Sequence, residues 1–260
     1  MSAQTIAPLS PAKRVARMSL FEVRYTFKQR MVLAMLAFGP VMAILLATVV
    51  ESDDRAVWGT MVASTTPVLV TMSVASALAI VIAVRRESHV FKALRTTELS
   101  PVQMVLALAA PYLVIGMVVG ALVLGAFTLL GAPAPESWAL LLAGLVGVVM
   151  LSIIGGIATG AFSTSAASVQ FTTIPVLLVS VAFPTIALQP LIGAEARSWL
   201  LLAPFSGVAD LLARGMGADL AAAPAALGMP IVLVDVLSTV VWIGAGLWLA
   251  RATWRWEPRA

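Results

Sequence analysis

Six apolar runs set what this chain can become: 31–50, 57–84, 102–130, 138–162, 170–193 and 229–250. Each reaches the roughly 20 residues that a helix needs to cross the hydrocarbon core of a bilayer. The longer runs call for tilting, kinking or interfacial ends. Composition agrees, since 61% of the residues are hydrophobic and only 11% are charged. A soluble domain carries about half apolar and about 25% charged residues. The fold expected is therefore an all-α polytopic membrane protein with six transmembrane helices. The chain has no cysteine and one histidine, His89. That excludes a disulfide framework, thiolate metal sites and metal sites built on several imidazoles.

The cations give an orientation. With both termini in the cytoplasm, thirteen of the sixteen Lys and Arg residues lie inside, and only Arg55, Arg197 and Arg214 lie outside. The outer loops carry Glu51, Asp53, Asp54, Glu136, Glu195, Asp210 and Asp219 instead. This distribution fits the positive-inside rule, and the inverted chain violates it. It also accounts for the net charge of +4 without a nucleic-acid partner. Trp58, Trp138 and Trp199 are expected at the outer interface, and Trp254 and Trp256 at the inner one.

Ahead of the first run, residues 1–17 read as a cytoplasmic tail and 18–30 as an amphipathic helix lying in the interface. Ser19 and Glu22 have a capping-box spacing at its start. Leu20, Val23, Phe27 and Met31 form an apolar stripe, flanked by Arg24 and Lys28. Six cations precede the first run and no small-residue cleavage site follows, so a cleavable signal peptide is not expected. Residues 251–260 read as a second cytoplasmic tail.

Two regions break the pattern of plain spans. Pro175, Pro184 and Pro190 interrupt the fifth run, and proline removes an amide donor and clashes with the preceding turn. A helix to about Val181 is expected, then a break. The outer segment 194–228 is too apolar for a free loop. Val208, Leu211, Leu212 and Gly215 follow a helical period, with Ser206 a candidate cap, so short helices in or on the outer leaflet are expected. Gly116/Gly120 and Gly156/Gly160 form G-x-x-x-G pairs suited to close helix packing within the subunit.

Asp235 sits near the outer end of the sixth run. A carboxylate inside a span defaults to a functional hypothesis. Three roles are open to it: a contact for a cationic substrate, a proton site, or a pair with Arg214 or Arg197. The alternative is that the helix starts lower and Asp235 meets the interface. No G-x-x-x-x-G-K-[ST] phosphate loop and no H-E-x-x-H occurs. The chain is therefore not expected to be an enzyme or to bind a cofactor or metal itself. Few charges line the runs, which suits a hydrophobic or amphipathic cargo.

Between the second and third runs lies a charged island, 85–101, with four cations and His89. It contains Arg86-Glu87, then Leu94-Arg95, then Thr97-Glu98-Leu99-Ser100. Together with the helix before the first run and the outer Pro204-Phe205 to Asp210-Leu211-Leu212-Ala213-Arg214 segment, this layout resembles the ABC-2-type permeases. These are the membrane subunits of ABC exporters for drugs, lipid-linked glycans or lipids. The family usually has Gly-Thr where this chain has Ser88-His89, and Thr-Pro-Leu-Ser where Glu98 replaces the proline.

The resemblance implies a dimer of permease subunits, identical or related, bound to two ATPase subunits that hold ATP and Mg. Arg86, Glu87, Val90, Phe91, Lys92, Leu94, Arg95 and Thr97 would form the coupling helix docked on the ATPase. Leu20, Val23, Arg24, Phe27 and Lys28 would mark the connecting helix. Pro184, Pro190, Pro204, Phe205, Asp210 and Arg214 would belong to the outer gate. The implied setting is a bacterial cytoplasmic membrane, with drug efflux or antibiotic resistance as the role. The rival reading is a proton-coupled secondary transporter that uses Asp235.

Overall fold

A computed structural model describes residues 10–90, 101–218 and 228–253, with the side chains of 11, 101 and 102 left aside. The described residues are all-helical: α1 Pro11–Thr26, α2 Arg30–Ala47, α3 Arg55–Glu87, α4 Pro101–Leu129, α5 Trp138–Phe162, α6 Val169–Thr172, α7 Ile174–Ala187, α8 Ala194–Leu200, α9 Ser206–Gly215 and α10 Ile231–Thr253. Six stretches are long and apolar enough to cross a membrane: α2, α3, α4, α5, α6 with α7, and α10. The protein is a multi-pass membrane protein by that measure. The end where α3 finishes at Arg85 and Arg86 is called the basic end below, and the end where α3 begins after Asp53 and Asp54 the acidic end.

Helix α3 is the axis. It packs against α2, α4, α5, α7 and α9 and is buried over most of its length. Its small and β-branched residues permit this, and glycines on α5 bring the two backbones together. A Cβ on Gly156 would come within 2.8 Å of the Ala75 carbonyl oxygen, and one on Gly160 within 2.8 Å of Ile82. The Thr71 and Ser152 hydroxyls pair at 2.9 Å across the same contact. Gly116 on α4 meets Val149 of α5 in the same manner. The glycine pairs thus serve packing within the subunit, where close backbone approach is the main source of helix association in lipid. Val41 and Ile44 of α2, Val114 and Val118 of α4, and Val240, Val241 and Trp248 of α10 point outward. An apolar exterior is what a bilayer demands of its solute.

Four local expectations are corrected. Helix α1 begins at Pro11, with proline in its first turn, so Ser19 lies inside it and caps nothing. The Ser19 hydroxyl donates to the Ala107 carbonyl of α4. The helix also turns its polar stripe inward: Glu22 is 1% exposed and Thr26 0%, while Leu20 is 66% exposed.

The fifth span does not break near Val181. Helix α7 continues through Pro184, and the interruptions fall at Thr173, just before Pro175, and after Ala187, before Pro190. Pro175 stands in the first turn of α7, where no helical amide is lost, and Gln189, directly ahead of Pro190, is already outside the helix. Trp58 is buried rather than interfacial, its indole N–H donating to the Ser52 carbonyl at 2.7 Å. Trp138 and Trp199 are exposed at the acidic end, and Trp254 and Trp256 lie outside the described residues. Finally, Ser206 is the first residue of α9 and not its cap, a place taken by Phe205.

Candidate functional site

The acidic end is built around two short helices, α8 and α9, joined by a turn. Helix α9 runs against α5 in the opposite direction: Gly215 abuts Leu141, and Val208 abuts Gly147. Gly147 lies nine residues into α5, which at 1.5 Å per residue puts the start of α9 roughly 13 Å below the start of that span. The turn between α8 and α9 therefore lies at depth, where backbone groups need partners from protein. The Leu202 carbonyl receives two, from the Ser238 hydroxyl at 3.1 Å and the Trp242 indole at 2.7 Å, both on α10. Phe205 makes the turn with a φ of +67° and is buried. A bulky side chain rarely adopts that backbone region.

Ser206, Asp210 and Arg214 stand four residues apart on α9 and so form one stripe. Gly207 lets that helix meet α10, since its Cβ would lie 3.0 Å from the Asp235 Cα. Asp235 is the fifth residue of α10 and 0% exposed, so it faces protein rather than the interface. Arg214 Nε donates to Asp210 Oδ2 at 2.5 Å. The Asp210 carboxyl is in hydrogen-bonding reach of Asp235, and the Arg214 charge acts on both. An ionised carboxylate only accepts hydrogen bonds. As ionised groups, Asp210 Oδ1 and both oxygens of Asp235 have no donor among the described residues, and neither does the Ser206 hydroxyl oxygen have a partner. Neither arginine open to Asp235 bonds to it: Arg214 pairs with Asp210 and reaches Asp235 through its charge alone. Arg197 is engaged elsewhere, its guanidinium donating to the Ala187 and Gln189 carbonyls at the end of α7.

Also at the acidic end, α3 and the α7–α8 connection line an open cavity of about 710 Å³. Val57, Met61, Leu188 and Pro190 make its apolar wall, and Thr60, Ser64 and Arg197 add polar groups. Arg55 closes the neighbouring rim, paired with Glu136 at 3.3 Å and donating to the Ala134 and Met216 carbonyls. All three arginines that depart from the positive-inside pattern thus have specific partners at this end. Of the residues expected at a gate, Pro184 and Phe205 are buried, Pro204 is half-buried, and Pro190 lines the cavity.

The basic end holds the second ionic centre, which pattern reading missed. Arg85 Nη2 donates to Glu22 Oε2 at 2.6 Å, both side chains buried. The Arg85 guanidinium also stacks on Tyr25 at 4.8 Å. Burial pushes the Glu22 carboxyl above its ordinary value of 4.5, while the charge and hydrogen bond of Arg85 pull it down. Arg86, 2% exposed, donates to the Ala161 and Ser163 carbonyls at the end of α5. This side chain is committed inside the bundle. Glu87 is exposed and accepts from the Ala166 amide at 3.1 Å. Val90 is half-buried, and Phe91, Lys92, Leu94, Arg95 and Thr97 lie outside the described residues. Arg24, Phe27 and Lys28 of the N-terminal segment are exposed and Val23 half-buried.

No group of three or more metal-ligating side chains occurs among the described residues. The Glu22–Arg85 pair could have been suspected from a carboxylate on an amphipathic helix facing an arginine at a span end. The Asp210–Asp235 contact had the i, i+4 stripe as its signal, but nothing in the sequence named the partner. No protein-family model matches this chain, and no curated protein does, so no family is assigned by similarity.

Proposed function

We propose that this protein is the membrane-spanning subunit of an ATP-driven exporter of the ABC-2 type. It lies in a bacterial cytoplasmic membrane with both termini and the basic end inside. It works as a dimer of permease subunits on two ATPase subunits. Those partners bind ATP and Mg and do the hydrolysis; the chain itself catalyses no reaction. The cargo is a hydrophobic or amphipathic molecule, a drug, antibiotic or lipid. The observation that carries this reading is the Glu22–Arg85 joint. It ties α1 to the foot of the 85–101 loop, so a push on that loop and a push on α1 move one body. A motor docked below needs such a rigid junction, because a flexible one would dissipate the stroke. The turn between α8 and α9 and the open cavity supply a movable element and a space at the other end, as an outer gate requires.

The test is purification of tagged protein in mild detergent with identification of stoichiometric partners. An ATPase subunit is expected at one to one, and Phe91→Ala with Arg95→Glu should release it. Recovery of the protein with no ATPase would overturn the reading. So would transport that persists without ATP and collapses with a protonophore.

A further inference from the structure

The centre at the α9–α10 crossing has more acceptors than donors. Asp210 Oδ1, both oxygens of Asp235 and the Ser206 hydroxyl are buried and have no partner among the described residues, and Arg214 is spent on Asp210 Oδ2. Among the described residues, the helices packed on α9 offer little other charge to balance the pair. Helices α5 and α7, which pack on α9, carry no ionisable residue, and α3 carries them only at its ends. On α10 the remaining one is Arg251, at the opposite end. Two carboxyl groups in hydrogen-bonding reach of each other cannot bond while both are ionised, because neither has a hydrogen to give. A metal ion is a poor solution, since a hard cation wants about six oxygen ligands and fewer are present here. A cargo amine is a poor one too, because neither Asp210 nor Asp235 lines the 710 Å³ cavity. A proton needs neither space nor a wide path.

We propose that Asp210 and Asp235 share a single proton, and that this proton latches α9 and the turn ahead of it to α10. Arg214 holds Asp210 as the acceptor, so the proton sits on the Asp235 side and bonds to Asp210 Oδ1. When it leaves to water at the acidic end, two carboxylates face one arginine in a desolvated site. The repulsion falls on the Gly207 crossing, where the two backbones already touch. Helix α9 then moves off α10, and the Leu202 carbonyl loses its Ser238 and Trp242 donors. The turn ahead of α9 opens with it. The latch belongs to the gate of the proposed function, but it does not depend on what drives transport.

The test uses the full-length protein in lipid nanodiscs, without an ATPase. Infrared spectroscopy reads the carboxylic-acid carbonyl band directly. A band is expected at neutral pH in wild type that is missing from Asp235→Asn, and that disappears on alkaline titration of wild type. The chain has no cysteine, so Ala203→Cys gives a clean reporter of this opening, with Glu51→Cys as the exposed reference. Maleimide labelling at 203 relative to 51 should rise about tenfold as the band is lost, the change that a latch contributing roughly 1.4 kcal/mol gives. Asp235→Asn keeps a donor in place, and its labelling ratio should stay low at every pH. No band attributable to the pair, or a band whose loss leaves labelling unchanged, would overturn the latch. The wild-type titration needs no variant to fold, and neither outcome bears on whether an ATPase partner exists.

Discussion

The two ends of this bundle solve the burial of charge in opposite ways. At the basic end one carboxylate meets one guanidinium, Glu22 with Arg85, and an aromatic ring covers the cation. At the acidic end two carboxyls meet one guanidinium, and four polar oxygens have no partner among the described residues. Removing an ion from water costs several kcal/mol, and attraction offsets it only when geometry is good and the remaining valences are filled. The first centre matches one carboxylate to one guanidinium, although Glu22 Oε1 and Arg85 Nε find no partner among the described residues; the second holds a carboxyl too many. A balanced pair resists displacement and makes a joint. An unbalanced one changes its energy with every proton or movement, which makes it fit for a switch. Place and composition agree, since the joint ties helices of the basic end and the excess acid sits by the turn ahead of α9.

Removing one member of each ion pair is the most direct way to break the comparison. Arg214→Leu leaves Asp210 and Asp235 buried without a cation, and should destabilise the protein by about 5 kcal/mol, the upper end for a broken buried pair. Thermal unfolding in detergent measures it. Adding Asp210→Asn should recover most of the loss, because the excess charge is then gone. A loss without that recovery would mean the arginine acts by packing alone. Glu22→Ala at the other end strands a single cation. It should cost about 3 kcal/mol, the lower end of the same range, because the Tyr25 ring still faces Arg85.

How much of this was legible in the sequence follows from the physics of each signal. Span number came through because a bilayer imposes a length that hydropathy alone reveals. The small-residue pairs of α4 and α5 were legible as packing sites because only glycine admits such approach. The start of α1 was not, although Pro11 carries the right signal; a capping-box spacing further on, at Ser19, competed with it. Its contact with the bundle through Glu22 and Thr26 was not legible, because an amphipathic pattern says which face meets lipid and not which polar residues meet protein. The breaks in the fifth span were assigned to the wrong prolines, since a helix tolerates Pro184 where neighbours support it. Arg86 looked like a docking residue because a cation at a span end normally faces water, and its burial depends on where α5 ends. The Asp210–Asp235 contact spans 25 positions across a turn, and no local period encodes it.

Removing the excess acid should have a smaller effect than removing a member of either ion pair, and of opposite sign. Asp235→Asn replaces a group that needs a proton with one that brings its own N–H donors. A buried unsatisfied polar group costs about 1–3 kcal/mol, so the variant should gain about 1 kcal/mol of stability. A corresponding Glu22→Gln change should not stabilise under acid conditions, because that end has no excess to relieve. If both substitutions stabilised equally at low pH, the two centres would be of one kind.

The smallest effect expected is the pH dependence of the joint itself. The Glu22 carboxyl titrates above its ordinary value of 4.5 because burial outweighs the pull of Arg85. A carboxyl raised in the folded state binds its proton more tightly there than in the unfolded chain. Its contribution to stability is then fully present below 4.5 and is lost as pH rises through the folded value. The midpoint temperature of wild type minus that of Glu22→Gln should therefore start near zero in acid and turn negative on raising the pH. The substitution cancels every other titrating group in the difference, which isolates this one. A difference that turns positive instead would mean that Arg85 outweighs burial. The basic end would then be held by charge attraction in full, and its contrast with the acidic end would be sharper than the geometry alone makes it.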